Sequence, residues 1–384
     1  MMKMKKRWLL CLLILIFCLF PGVAFASQEE SDQYYQDQME ASGADQLPGY
    51  LPEEAKKIMG NLGVGDLSQE GIFNLSPEQI LQQSLNLAGE YAASPVRAAA
   101  SVIGVILLCS LLQGIKGSFG EKELSRIFGV VCVLVSIAFL VAPIVDCVVR
   151  TSETVQGSFV FVTAFVPVLS GIMTASGQPV TASSYSLTML VTSDAATALF
   201  STVVMPMLNI ILAIAVVSAA APRLNIGGIS SFIQKTVKWV LGFTMTIFVS
   251  VLSIQGAVGS SADSVTMKAA KFVIGNAIPV VGGAISDAVT SVQSYLGLLK
   301  TTVGAFGILA GACIFLPILI EQILWLVAVN VCLVVSDIFE MKEISSLLKA
   351  VNGVIGLMIA VAVSCALILV ISSGIMMSLN GAKG

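Results

Sequence analysis

The sequence predicts an all-α, polytopic helical membrane protein with a small exported N-terminal helical segment and a candidate internal duplication. Three observations carry that prediction: long apolar windows without charge, an N-terminus shaped like an export signal, and an uneven division of charge along the rest of the chain. Of 384 residues, 56% are hydrophobic and 11% charged, whereas soluble domains carry about 25% charged residues. Residues 98–115, 127–145, 154–193, 195–222, 239–262, 301–320 and 350–382 contain no Asp, Glu, Lys or Arg. Roughly 20 apolar residues cross a bilayer, and most of these windows reach that length.

Residues 1–26 read as a cleaved secretory signal. Lys3, Lys5, Lys6 and Arg7 form a basic start, Trp8 to Phe20 an apolar core, and Ala24-Phe25-Ala26 a cleavage site whose small residues are Ala24 and Ala26. An uncleaved first span is the alternative. The signal places residues 27–95 outside the cytoplasm. That region holds twelve acidic residues and two basic ones, Lys56 and Lys57, whereas eleven acidic and fourteen basic residues follow from Val96 onward. Its acidity suits either a partner-binding surface or a solvated exterior.

Within the exported region, Ser27 to Gln46 is polar and reads as disordered. Ser76-Pro77-Glu78-Gln79 then supplies an N-cap, a proline at the first helical position and a Gln three residues on. Behind it, Leu81, Leu85, Ala88 and Ala92 recur at helical spacing, and Ser94-Pro95 leads into the first span. So short a region makes a small core and leans on the membrane domain or a partner.

The membrane domain, residues 96–384, carries a weak repeat that divides it into 124–228 and 229–343. Pro167-Val168 and Gly171 recur as Pro279-Val280 and Gly283, Ser184-Tyr185 as Ser294-Tyr295, Pro206 as Pro317, and Ile229-Ser230-Ser231 as Ile344-Ser345-Ser346. Chance similarity among Gly- and Pro-rich helices competes with a true duplication. Basic residues precede three spans: Lys116, Lys122 and Arg126; Arg223, Lys235 and Lys238; Lys342 and Lys349. Placing all three groups in the cytoplasm gives crossings at about 98–115, 127–145, 195–221, 239–262, 303–335 and 350–378. The Pro- and Gly-containing stretches 157–193 and 272–298 then become re-entrant or surface-lying elements on the outer side, which also puts Lys268, Lys271 and Lys300 outside.

Candidate sites are sparse. No histidine is present, so the commonest general base and metal ligand are missing. The cysteines form no CxxC pair, which argues against a disulfide framework or zinc site. No G-x-x-x-x-G-K-[ST] string occurs, and the serines match no nucleophile elbow. No catalytic, cofactor or metal site is expected, and no enzyme activity. Glu321, with Asp194 and Asp287, lies close to apolar sequence, where a carboxylate faces a bundle interior, a cavity or an aqueous boundary. Glu321 reads either as part of a polar path or subunit contact, or as lying in a kinked helix pair whose junction brings it near an interface. Pro167, Gly171, Pro279, Gly282, Gly283, Pro317 and Glu321 are candidate channel or packing elements, with tight helix packing favoured for the glycine pair.

Several strings resemble the stage III sporulation protein AE family of endospore-forming Firmicutes. They are Ser76-Pro77-Glu78, Ser94-Pro95, Leu107-Leu108-Cys109-Ser110-Leu111-Leu112, and Lys268-Ala269-Ala270-Lys271-Phe272 followed by Asn276 to Ala288. The last is the most specific, and the match covers nearly all of the mature chain. The resemblance implies a multi-pass protein of the mother-cell membrane around the forespore, working in a secretion-like channel complex needed for late forespore gene expression. It also implies as partners other stage III sporulation membrane proteins and a separate cytoplasmic ATPase subunit, besides membrane lipid, with no nucleic acid. A stand-alone transporter of small solutes, built on the duplicated halves, and an assembly scaffold without a conduit are the alternatives.

Overall fold

The computed structural model describes residues 28–65, 67, 69–73, 75–116, 122–220, 227–277 and 282–378. Every regular element among them is a helix. Ala24 and Ala26 of the expected cleavage site lie outside the described residues. The chain divides into two compact units, Met1–Ala41 and Ser42–Gly384. Helix α1 (Gln28–Ser42) is the described part of the first, a regular helix where the composition predicts disorder. All other elements belong to the second.

The second unit begins with a 3-10 helix (Ala44–Tyr50), α2 (Glu53–Asn61) and α3 (Gln69–Phe73). Leu47, Leu51, Ile58, Met59 and Val64 are buried beneath them. Gly63 ends α2 at a φ of 75°: Val64 N–H donates to the Met59 carbonyl and Gly63 N–H to that of Gly60. This double bond closes the helix with a residue in the left-handed region, which glycine enters without strain.

Helix α4 (Pro77–Tyr91) begins as its sequence predicts. Gln79 N–H donates to Ser76 Oγ at 3.3 Å, and Ser76 N–H to Gln79 Oε1 at 3.2 Å. Of the residues at helical spacing, Leu81 and Leu85 are exposed, and Leu87 is the leucine that α4 buries.

Five continuous rods and one interrupted one follow. They are α5 (Ala93–Lys116), α6 (Lys122–Ala175), α7 (Pro179–Leu199) joined by a π-turn at Phe200–Val204 to α8 (Met205–Ala220), α9 (Gly227–Ala277), α10 (Gly282–Ile338) and α11 (Lys342–Ser378). By length and composition, six stretches within them can cross a membrane: Ala93–Leu112, Val130–Ala175, Pro179–Ala220, Gly228–Ala270, Thr290–Ile338 and Lys342–Ser378. The π-turn stands directly before Pro206, where a missing N–H interrupts the regular bonding pattern.

The re-entrant elements expected at 157–193 and 272–298 are absent from the described residues. Residues 157–175 complete α6, Pro179 starts α7, and the later stretch divides between the end of α9 and the start of α10. Pro143 and Pro167 are accommodated inside α6. Each removes one backbone donor, and the helix is held through both by the residues it buries around them, Leu140 and Ile144 near Pro143 and Phe165, Val166 and Leu169 near Pro167. Continuous helices have a consequence for length. Helices α6, α9 and α10 contain 54, 51 and 57 residues, so they run about 75–85 Å. A hydrocarbon core is about 30 Å thick, and these helices therefore project well past it.

Neighbouring helices alternate in direction. Gly304, Gly307 and Gly311 of α10 meet Met377, Ser373 and Leu369 of α11 in that order, and Asn330 of α10 bonds Asn352 at 3.3 Å. The alternation brings the starts of α6, α9 and α11, with Lys122, Lys235 and Lys342, to one end of the bundle. The turn at Ser176–Gln178 and the end of α9 lie at the other end. Lys300 is buried near that opposite end and donates to Gln178 Oε1 at 3.1 Å.

Two turns use the same closure. Gln178 N–H donates to Met173 O and Gly177 N–H to Thr174 O, with Gly177 at φ 85°. In the turn between α10 and α11, Met341 N–H donates to Ser336 O and Glu340 N–H to Asp337 O, with Glu340 at φ 53°. A side chain in that region is strained by about 1 kcal/mol or more. Glu340→Gly is therefore expected to stabilise the protein by about 1 kcal/mol, read as a raised melting temperature in detergent.

One pairing is not legible in the cysteine spacing. Cys109 of α5 and Cys132 of α6 are joined as a disulfide, their Cα atoms 6.4 Å apart. They lie 23 residues apart and carry no motif spacing. The antiparallel hairpin supplies the proximity.

Candidate functional site

The chain's most charged interior point lies where α2, α4, α6 and α10 meet. Glu321 of α10 is 3% exposed and accepts a hydrogen bond and ion pair from Arg150 of α6. Beside it, Gln322 Nε2 donates to Thr151 Oγ1 at 2.9 Å, and Thr151 Oγ1 donates in turn to the Cys147 carbonyl at 2.7 Å. Consecutive residues on α6 thus hold consecutive residues on α10.

The N-terminal segment reaches the same point. The Arg150 guanidinium sits 6.0 Å from the centre of the Tyr91 ring at the end of α4, within the range of a cation–π contact. Tyr91 Oη donates to Glu54 of α2 at 3.2 Å. Burial, then the Glu54 charge, pushes the Tyr91 phenol up to about 12, so it remains a donor at physiological pH. Pro52 packs at Gly157 of α6: a Cβ there would stand 3.2 Å from the proline ring. A cavity of about 220 Å³ opens between these elements, with Glu53, Glu54, Glu153 and Glu321 against a lone cation, Arg150, in its lining.

A second polar junction anchors the opposite end. Asp263 of α9 is buried, and its carboxylate accepts from the backbone N–H groups of Val180 and Thr181 at 3.0 and 2.9 Å and from Thr181 Oγ1 at 2.6 Å. It thereby caps α7 from another helix, with negative charge at the positive end of the α7 dipole. Gly259, one turn earlier, lets the Thr181 backbone approach to 2.9 Å from where a Cβ would stand. Asp263→Ala is expected to lower stability by about 1–2 kcal/mol and Asp263→Asn by less, measured by thermal unfolding in detergent.

The candidate residues from the sequence separate here. Pro317 lines the cavity one turn before Glu321. Pro167 and Gly171 stand on an exposed face of α6, and a Cβ on Gly171 would meet nothing within 4 Å. They are not brought to Glu321. Phe165 reaches Gly307, which lies roughly 15 Å along α10 from Pro317. Pro279 lies outside the described residues, and Gly282 and Gly283 open α10. The close-packing glycines are instead Gly304, Gly307 and Gly311. Sequence reasoning also missed Arg150, Tyr91, Glu54 and Asp263. Arg150 had a visible signal, because it is the lone basic residue between Arg126 and Arg223.

The helices and their junctions define a polytopic α-helical membrane protein whose N-terminal segment docks on helices that project beyond the bilayer. The family model described as stage III sporulation protein AE matches residues 63–380. The chain belongs to the stage III sporulation protein AE family. It is 27% identical over 270 residues to stage III sporulation protein AE of Bacillus subtilis (strain 168), an alignment covering 69% of this chain and 65% of that relative. The alignment thus spans just under two thirds of the relative's own length. No solved structure gives a significant match.

Proposed function

We propose that this protein is a non-enzymatic membrane component of a secretion-like channel complex linking mother cell and forespore during sporulation, needed for late forespore gene expression. The observation that carries the reading is family membership across residues 63–380. The architecture suits it physically. The basic end, with Lys122, Lys235 and Lys342, faces the cytoplasm by the positive-inside tendency and is positioned to meet a separate ATPase subunit. The acidic N-terminal segment faces the intermembrane space, where other stage III membrane proteins are the partners.

The test is a deletion strain of the host, scored for heat-resistant spores and for late forespore transcription. The reading expects both to collapse and to return when the full chain is supplied in the mother cell. Normal spores with intact forespore transcription would remove the role. Solute flux through the purified protein in liposomes, with no partner present, would favour a stand-alone transporter instead.

A further inference from the structure

Helices α4 and α5 run on as one rod. Ala92 between them is helical; its N–H donates to Ala88 O at 2.9 Å, and Val96 N–H donates to Ala92 O at 3.0 Å. Leu81, Leu85, Ala92, Val96, Ala99 and Ile103 follow one another at helical spacing and share one face of that rod. Leu81, Leu85 and Val96 are 62%, 63% and 62% exposed.

Along α5 this face forms one wall of an apolar groove of about 350 Å³, whose other wall is Leu324, Val327 and Val331 of α10. Lipid chains could fill the groove alone. They could not cover Leu81 and Leu85, because α4 also carries Glu78, Gln82, Gln83, Asn86 and Glu90 and so stays outside hydrocarbon. The apolar face is continuous across the boundary between hydrocarbon and water. Its occupant must be continuous too.

We propose that this face seats a single-span membrane protein, with its transmembrane helix in the groove between α5 and α10 and its adjoining extramembrane segment, amphipathic and basic, along α4. Charge selects the second property. Glu78 is exposed on α4 beside Leu81 and Leu85, and residues 42–95 carry seven acidic side chains against two basic ones. The small side chains of Ala92, Ala99 and Ala328 in the groove allow a partner helix to approach closely. This inference rests on the chain acting as a component of an assembly, and it names the surface and the class of one partner.

The experiment places the photoreactive residue p-benzoylphenylalanine at Leu85 or at Ile103 of the full-length protein in sporulating cells, with adducts identified by mass spectrometry after illumination. The expected result is the same single-span polypeptide at both positions, attached within its span from Ile103 and just beyond it from Leu85. Introducing Glu78→Lys should reduce the Leu85 adduct at least tenfold while the Ile103 adduct persists. Adducts with phospholipid only, with a second copy of this chain, with unrelated polypeptides at the two positions, or with nothing at unchanged protein level would each overturn the proposal. Those outcomes leave the sporulation role standing, whereas a deletion strain that sporulates normally removes the role and leaves any adduct in place.

Discussion

Arg150→Ala is expected to destabilise the protein by about 3–5 kcal/mol, because it strands a buried carboxylate without its partner. The two ends of the pair are unequal. Arg150 is 45% exposed and Glu321 is 3% exposed. Removing Glu321 leaves a guanidinium that can turn toward water, so Glu321→Gln should cost clearly less than Arg150→Ala. Replacing both together, Arg150→Met with Glu321→Leu, should return stability near to that of the parent, since a buried ion pair is often no better than apolar residues of similar volume. Thermal unfolding in detergent measures these differences, and adding the single variants Arg150→Met and Glu321→Leu completes the cycle that isolates the coupling. Spore counts separate stability from function. A double variant that is stable yet fails to sporulate would assign the charge pair to assembly or passage. One that sporulates normally would make the pair an anchor alone.

Gly307→Val is expected to cost more than about 1–3 kcal/mol, the usual range for overpacking, and to loosen the α10–α11 hairpin. The glycine faces the ring of Phe165, and a Cβ there would also stand 2.9 Å from Ser373 Oγ. The ring has little room to retreat. It is fully buried and stacks on Phe161 at 5.4 Å between centroids, and Phe161 lies 6.3 Å from Phe306. Gly171→Val is the matched control, since a Cβ at Gly171 meets nothing within 4 Å. Limited proteolysis and melting temperature should show a large loss for the first and a small change for the second. Equal losses would mean that helix propensity, rather than close approach, sets the cost.

Much of the fold is legible in the sequence because its signals are local. Absence of charge over a bilayer's width marks the membrane-crossing helices, and the Ser76–Gln79 capping box needs four consecutive residues. The misread stretches share another cause. Pro167 and Gly171 look like breaks when the sequence is read alone. The helix instead continues through them to Ala175, held by the face it buries at Phe161, Phe165, Leu169 and Ile172, and the break falls at the turn before Pro179.

The site is less legible because proximity across the fold makes it. Arg150 and Glu321 are 171 positions apart, and Thr181 and Asp263 are 82 apart. Glu321 can be singled out alone by its apolar neighbours, but its partner depends on the register between α6 and α10. The glycines teach the same lesson. Gly304, Gly307 and Gly311 become close contacts because α11 lies against that face of α10, while Gly171 faces no helix. The Cys109–Cys132 bond likewise exists because a hairpin lays two unremarkable positions side by side.

Residues 44–91 dock on the long membrane helices through the junction around Arg150 and Glu321. Disulfide trapping tests this docking directly, with Pro52→Cys and Gly157→Cys in an otherwise cysteine-depleted full chain, oxidised mildly in sporulating cells. Rapid, near-complete trapping is expected, because Pro52 lies 3.2 Å from where a Cβ on residue 157 would stand, with a sharp loss of trapping when Arg150→Ala is added. No trapping in the parent pair, at normal protein level, would contradict it.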